Sequence, residues 1–522
     1  VRALGSGWSD ILIFLPDRIV AILSFDKRLA SAPKVVNRMI WSHDQHGGGG
    51  NMRGAEILDL DAAGVAAAIA AGAISSREAA AAHLARLDAV NPRFNAVVEV
   101  MREDALAAAD AIDAARARGE RLGPLAGVPV TVKLNVDVAG RASSLGLVAL
   151  KDRIADSDSP AVANLRKAGA VLIGRTNIPD FSLRWHTDNA LHGPTINPWD
   201  PRLTVGGSSG GAAAATAMGI GALAHGNDVA GSLRLPASAC GVYGFKPTPG
   251  VLPRYNATSP VEPSLALQLG ATEGVIARST RDLRLGVAAL AATDCRDPLS
   301  RRAPAPDLAQ RRPRRVALFT GETEFGTSAE VAALVRRAGA CLEAEGYRVE
   351  ERAAPHFGEL AELWMAILHA EITSAAREDM NAMASEGFRR SFADTAACLP
   401  ALNAEGYQTA WRRRHAILRA WTLFLDDYPI LLTPTSCRPT FPADHDARGV
   451  EIMREILQAY APLAAMAGAG LPAISVPAGM AAGAPAGVQI VAGAFCEERC
   501  LEAAAILERR LGPTRPIAPA PA

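Results

Sequence analysis

An α/β fold on one large sheet is the class this sequence predicts, and three observations carry the prediction. From about Gly127 onward, short β-branched runs alternate with helical patterns, the rhythm of strand–helix units laid on a sheet. Strand-like runs return near the C-terminus after a long helical stretch, so the sheet is drawn from both ends of the chain. The 522 residues, 49% of them hydrophobic, suffice to bury a large core.

The first segment is apolar but broken. Ile11 to Phe25 is interrupted by Pro16, Asp17 and Arg18, which argues against a transmembrane helix, and its charges do not suit a signal peptide. The run Gly47 to Gly50 and then Asn51 precede Met52, after which a helical pattern starts at once. A purine-rich ribosome-binding site translated in frame reads as such a glycine run. Residues 1–51 are therefore expected to be a non-native or disordered leader, 52–512 a single folded domain, and the proline-rich 513–522 a disordered tail.

From Ile57 the apolar spacing fits two helices, the second opened by Ser75 with Glu78 three residues on, a capping box, and ended by Asn91 and Pro92. A third runs from Arg102 to about Arg118 and stops at Gly119. Next come the strand-like GVPVTVK, a helix near Ser159 to Ala168, AVLIGRT, an alanine-rich helix after Gly211, and the GALAHGND run. Arg296 to Arg314 reads as a basic, proline-rich exposed connection before the strand RRVALFTG. Residues 328–428 are mainly helical in pattern, and YPILLTPT, LPAISVPAG and AGVQIVAG are the late strands.

Charge excludes some partners. Lys plus Arg (54) equals Asp plus Glu (54), so no long-range field draws the chain to nucleic acid or an anionic membrane. The 7 cysteines are odd in number and scattered without a CxxC pair, which disfavours a disulfide framework or thiolate zinc site and fits a reducing cytoplasm. The 10 histidines show metal-like spacing only at His43 and His46, in the expected leader, so no metal and no cofactor are expected.

Chemistry concentrates between Gly206 and Gly250. Two serine-bearing glycine turns, Ser208–Ser209 and Ser232, flank the alanine-rich segment, while Lys133 sits at the end of a predicted buried strand upstream. A serine hydroxyl needs a base within hydrogen-bond reach, and Ser–Lys sets are an alternative to Ser–His–Asp. Lysine acts as a base only when neutral, and burial lowers its pKa by disfavouring the ammonium form. The turn Val229, Ala230, Gly231 can aim successive backbone N–H groups at a developing oxyanion. GGSSGG alone is a weak signal. No Walker lysine follows it, but it satisfies G-x-S-x-G, which leaves open an α/β-hydrolase-like esterase using Ser208 or Ser209 with His445 as base.

Together, GVPVTVKLNVDVAG, GGSSGG, NDVAGSLRLPA, CGVYGFKPT and the late TPT, GLPAISVPAG and AGVQIVAG runs resemble the amidase signature family, in that family's order, from about Ile57 to about Leu511. The separations of 75 residues from Lys133 to Ser208 and 24 from Ser208 to Ser232 are similar too. The resemblance implies an α/β/α sandwich around a large mixed sheet. It also implies Ser232 as nucleophile, Ser208 as a bridging serine on a cis peptide bond, and Lys133 as general base. Asp228 and Arg234 match positions that brace the nucleophile turn, and Ser209 reads as a hydrogen-bonding helper or helix N-cap. The loop carrying Trp185 and His186 often approaches the pocket in that family, and Cys437 is a further candidate there from a strand end. The helical stretch 328–428 is expected to shape the acyl pocket.

Two departures stand out: Leu134 replaces a frequent aspartate, and Ala230 a frequent glycine, which would be strained if that position needed positive φ. The expected activity is hydrolysis of a carboxylic amide to a carboxylate and ammonia or an amine. The expected partners are a small-molecule amide and, at most, a second copy in a homodimer. A glutaminase-type subunit of a tRNA-dependent amidotransferase is the alternative, although Leu235 stands where such subunits are expected to carry glutamine.

Overall fold

Runs rich in valine, isoleucine and leucine form one eleven-stranded mixed sheet in the computed structural model, which describes residues 8–12, 22–26, 54–259, 261–300 and 314–518. The chain divides into two compact units, Val1–Asn51 and Met52–Ala522. In the first, β1 (Trp8–Leu12) and β2 (Ile22–Asp26) pair antiparallel. The rest of the expected leader, His43 and His46 included, lies outside the described residues.

The second unit contributes β3 (Val97–Val100), β4 (Pro129–Lys133), β5 (Val171–Thr176), β6 (Leu223–Asp228), β7 (Tyr243–Lys246) and β8 (Thr272–Ala277) from the first half. β9 (Arg315–Leu318), β10 (Arg348–Glu351), β11 (Ile430–Pro434), β12 (Ala473–Ala481) and β13 (Ala484–Ala492) follow. The order across the sheet is β10-β9-β11-β13-β12-β7-β8-β6-β4-β5-β3. The two halves meet where β7 pairs antiparallel with β12, so both ends of the chain do build one sheet. Neighbours β6, β4 and β5 are parallel to one another.

Alternating side chains split the core into two layers, because successive residues of a strand point to opposite faces. Val130, Val132, Leu172, Leu223 and Leu432 pack on one face with the helices Ala62–Ala70, Pro160–Lys167, Thr280–Leu290, Ala329–Glu343 and Glu497–Leu511. Val171, Ile173, Ala224 and Leu431 pack on the other with Ser76–Phe94, Gly210–Ala217, Phe357–Met383 and Ala461–Ala469. Helices on both faces of a mixed sheet make the predicted α/β/α sandwich.

Three boundaries differ from expectation. A short helix, Gly54–Asp59, precedes Ala62–Ala70, because Asp61 accepts from the Gly64 N–H and caps a new start there. Ser76–Phe94 opens on the predicted Ser75–Glu78 capping box but runs past Asn91 and Pro92 to Asn95, which is left-handed at φ 48°. The Asn91 side chain instead accepts from the N–H groups of Ala96 and Val97 and fastens the exit. The expected disordered tail is docked as far as it is described: Ile517 donates to the Ala217 carbonyl and accepts from Arg86. Much of the basic connection, 301–313, lies outside the described residues, and among the described residues no helix is long and apolar enough to cross a membrane.

Candidate active site

Parallel neighbours β4 and β6 end on the same edge of the sheet, and this brings their last residues together. Lys133 closes β4, while Asn227 and Asp228 close β6. Since Val130 and Val132 fill one face, Lys133 faces the other, toward the turn ahead of Gly210–Ala217. Its Nζ lies 2.9 Å from Ser208 Oγ and donates to Asn227 Oδ1 at 2.7 Å. The Gly207–Ser208 peptide bond is cis. The Ser209 N–H donates to the Ser232 carbonyl at 3.1 Å, which ties the two serine turns backbone to backbone.

Lys133 has no exposed surface, and burial pushes its ammonium down to about 7 against the opposing pull of Glu273 and Asp228. A lysine at that value is substantially neutral near pH 7 and able to accept a proton. Asn227 is oriented in turn by Asn135, with which it exchanges amide hydrogen bonds at 3.0 and 3.2 Å.

The nucleophile turn rests on a buried ion pair. Arg234 donates to both carboxylate oxygens of Asp228 at 2.9 Å, and both side chains are wholly inside. Burial by itself raises the Asp228 carboxyl, but the Arg234 guanidinium, with Lys246 and the Leu233 N–H, outweighs it and holds the group at about 2. Asp228 also accepts from the N–H groups of Gly231 (2.7 Å) and Leu233 (3.1 Å), and Arg234 reaches Gln489 and the Leu463 carbonyl.

This corrects one expectation. The Gly231 amide is committed to Asp228, so it is not a ready oxyanion donor. The amides of Val229, Ala230 and Ser232 donate to no group among the described residues. What Gly231 supplies is conformation: its φ is 122°, and an added Cβ would lie 2.8 Å from Leu463. Ala230 does not have positive φ, so its methyl introduces no backbone strain.

Ser232, partly exposed, opens with Val229, Ala230 and Trp185 onto a cavity. Met365, Leu368, Ile372 and Phe392 give it an apolar wall, with His369, Ser391 and Thr395 as polar members. These seven residues come from the helical stretch 328–428. His186 and Cys437 are not brought there. His186 is buried against the Thr204 hydroxyl at 3.0 Å, and burial lowers it to about 4. Cys437 is fully buried, donates its N–H to the Ala459 carbonyl, and has its thiol pushed up to about 12. Ser209 occupies the N-cap position of Gly210–Ala217 without making a cap bond, and its hydroxyl donates to the Asn227 carbonyl instead. His445 stacks on Phe441 beside a separate small cavity, so it is no base for Ser208 or Ser209.

Sequence reading missed several partners of the set. Asn227 stands next to the singled-out Asp228 but carries no motif of its own. Beneath Lys133, the buried His225 donates from Nε2 to Glu273 at 2.8 Å, and Glu273 also receives Arg254. Burial opposes it, yet His225 and Arg254 hold the Glu273 carboxyl below the usual range. Trp364, whose indole N–H donates to the Val229 carbonyl, lies in the stretch with the weakest local signal.

The chain matches the amidase family over residues 78–501. It is 42% identical over 457 residues to an indoleacetamide hydrolase of Bradyrhizobium diazoefficiens, covering 87% of each chain. It is 37% identical over 464 residues to a glutamyl-tRNA(Gln) amidotransferase subunit of Moorella thermoacetica, covering 84% of this chain and 93% of that one. Its fold is similar to that of a bacterial aryl acylamidase of the amidase signature family, with TM-score 0.75, 27% identity, and coverage of 86% of this chain and 96% of the other.

Proposed function

The chain belongs to the amidase family and hydrolyses amide C–N bonds, and on that premise we propose an acyl-enzyme mechanism on Ser232 acting on an aryl-substituted acetamide. The observation that carries the mechanism is the buried Lys133 Nζ, 2.9 Å from the hydroxyl of Ser208, on a turn bonded to Ser232. Neutral Lys133 takes the Ser208 proton as Ser208 takes that of Ser232, and Ser232 Oγ attacks the amide carbon. The amides of Val229, Ala230 and Ser232 receive the developing oxyanion. When the tetrahedral intermediate collapses, the C–N bond breaks and the proton returns through Ser208 to the leaving nitrogen. Water then adds to the acyl ester by the same relay, releasing a carboxylate and restoring Ser232.

This assignment predicts the acid side of the pH profile. Only the neutral amine is a base, so kcat/KM rises with pH through about 7 and falls away below it. A stopped-assay profile from pH 5 to 9 checks this, and a rate independent of pH between 5 and 8 overturns the lysine base.

The apolar wall of Trp185, Met365, Leu368, Ile372 and Phe392 supports an aryl-bearing acyl group, as does similarity to an indoleacetamide hydrolase. Leu235 belongs to an apolar cluster with Phe441, Tyr460 and Leu463, against which Trp185 packs, a setting that suits an apolar acyl group better than a glutamine side chain. In a panel of indoleacetamide, phenylacetamide, propionamide and glutamine, the arylacetamides should exceed glutamine in kcat/KM by about 100-fold or more. Parity with glutamine would overturn the substrate assignment. Labelling with a fluorophosphonate, followed by peptide mapping to Ser232, tests the acyl-enzyme itself.

A further inference from the structure

We propose that Trp364 is a positioning residue for the oxyanion-binding amide of Ala230, so that the helix walling the acyl cavity also orients the catalytic backbone. This rests on the acyl-enzyme reading above.

Trp364 lies in the helix Phe357–Met383 and is fully buried. Its indole Nε1 donates to the carbonyl of Val229 at 2.8 Å. That carbonyl and the N–H of Ala230 belong to one peptide unit, which is planar and trans, so the two groups point in opposite directions. Holding the oxygen toward Trp364 therefore fixes the direction of the Ala230 donor. Oxyanion donors are effective to the extent that they are already aimed when charge develops.

The indole is itself held in a shaped socket. A Cβ added at Gly270 would lie 2.2 Å from the ring, and one at Gly468 2.8 Å from the Trp364 side chain, so both positions leave room that any other residue would fill. Arg414 donates to the Gly468 carbonyl at 2.7 Å and places its guanidinium 5.8 Å from the ring centre. Along the same helix, Met365, Leu368, His369 and Ile372 line the cavity. One rigid element thus touches both the acyl group and the peptide that would bind the oxyanion.

The test removes the N–H while keeping the ring. Trp364→Phe is the first variant, and replacement of Trp364 by the isosteric benzothienylalanine, which lacks only the donor, is the second and decides if the first does not fold. The expected result is a fall in kcat/KM of about 10- to 100-fold, carried mainly by kcat. The acid limb should stay at about 7, because the Lys133–Ser208 contact is untouched. Inhibition by an aryl trifluoromethyl ketone, which places an oxyanion on Ser232, should weaken by the same factor as kcat/KM. Affinity for the matching aryl ethanol, which has no oxyanion, should stay within about threefold.

A folded variant with kcat/KM within about threefold of wild type overturns the inference, and so does equal loss of affinity for both ligands, which would mark general cavity damage. A shifted acid limb overturns it too. If wild-type Ser232 fails to label with the fluorophosphonate, the acyl-enzyme reading fails and takes this inference with it, and that result is distinct from the others, in which labelling is intact.

Discussion

Ser232→Ala is expected to lower kcat on any amide substrate by about 10⁴-fold or more and to abolish fluorophosphonate labelling, with Lys133→Ala close behind in turnover. Members of a relay act as a unit. Without Ser232 there is no atom to carry the acyl group, and without Lys133 the Ser208 hydroxyl, 1% exposed, has no base to pass its proton to. The double variant should therefore be little worse than either single one. His445→Ala is the control and should keep wild-type kcat, since that ring stacks on Phe441 beside another cavity. Single-turnover kinetics of the four proteins would check the set. Strong activity in Lys133→Ala would sink the base assignment, and loss of activity in His445→Ala would reopen a histidine mechanism.

The second large effect concerns stability. Arg234→Met is expected to destabilise the fold by about 3–5 kcal/mol, because it leaves the Asp228 carboxylate buried and unpaired. Four hydrogen bonds of the guanidinium go at once, two to Asp228 and one each to Gln489 and the Leu463 carbonyl. Arg234→Lys should rescue little, since a single ammonium cannot reproduce a planar fork that spans these partners. Urea denaturation followed by circular dichroism reads the loss. A shift of under about 1 kcal/mol in Arg234→Met would mean that Asp228 is held by its backbone donors alone.

How far the sequence could be read depended on the range of each interaction. Strands β4 and β5 are legible because β-branched runs near glycine are local signals, and Ser75 with Glu78 marks a helix start for the same reason. Asn91 and Pro92 misled, because the Asn91 side chain bonds beyond the helix, which the letters do not reveal. In the site, the partners of Lys133, Val229 and Arg234 lie 94, 135 and 255 residues away at Asn227, Trp364 and Gln489. No local pattern encodes such pairings. Gly231 was misassigned for a related reason, since whether its amide is spare depends on where the Asp228 carboxylate turns.

Taken alone, the sequence determined the strand–helix rhythm, the two serine turns and the presence of a lysine at the end of a buried strand. Apart from the family resemblance, it offered nothing to rank that lysine against Lys246, which also ends a strand, is also fully buried, and is also pushed down by burial to about 7. Tertiary structure separates them. β7 lies between β8 and β12, and there Lys246 donates to the carbonyls of Leu471 and Pro247, acceptors that have no proton to give. β4 lies beside β6, and there Lys133 meets the hydroxyl of Ser208, which can pass a proton on. Strand order, set by packing across the whole chain, decides which of two like residues can be a base.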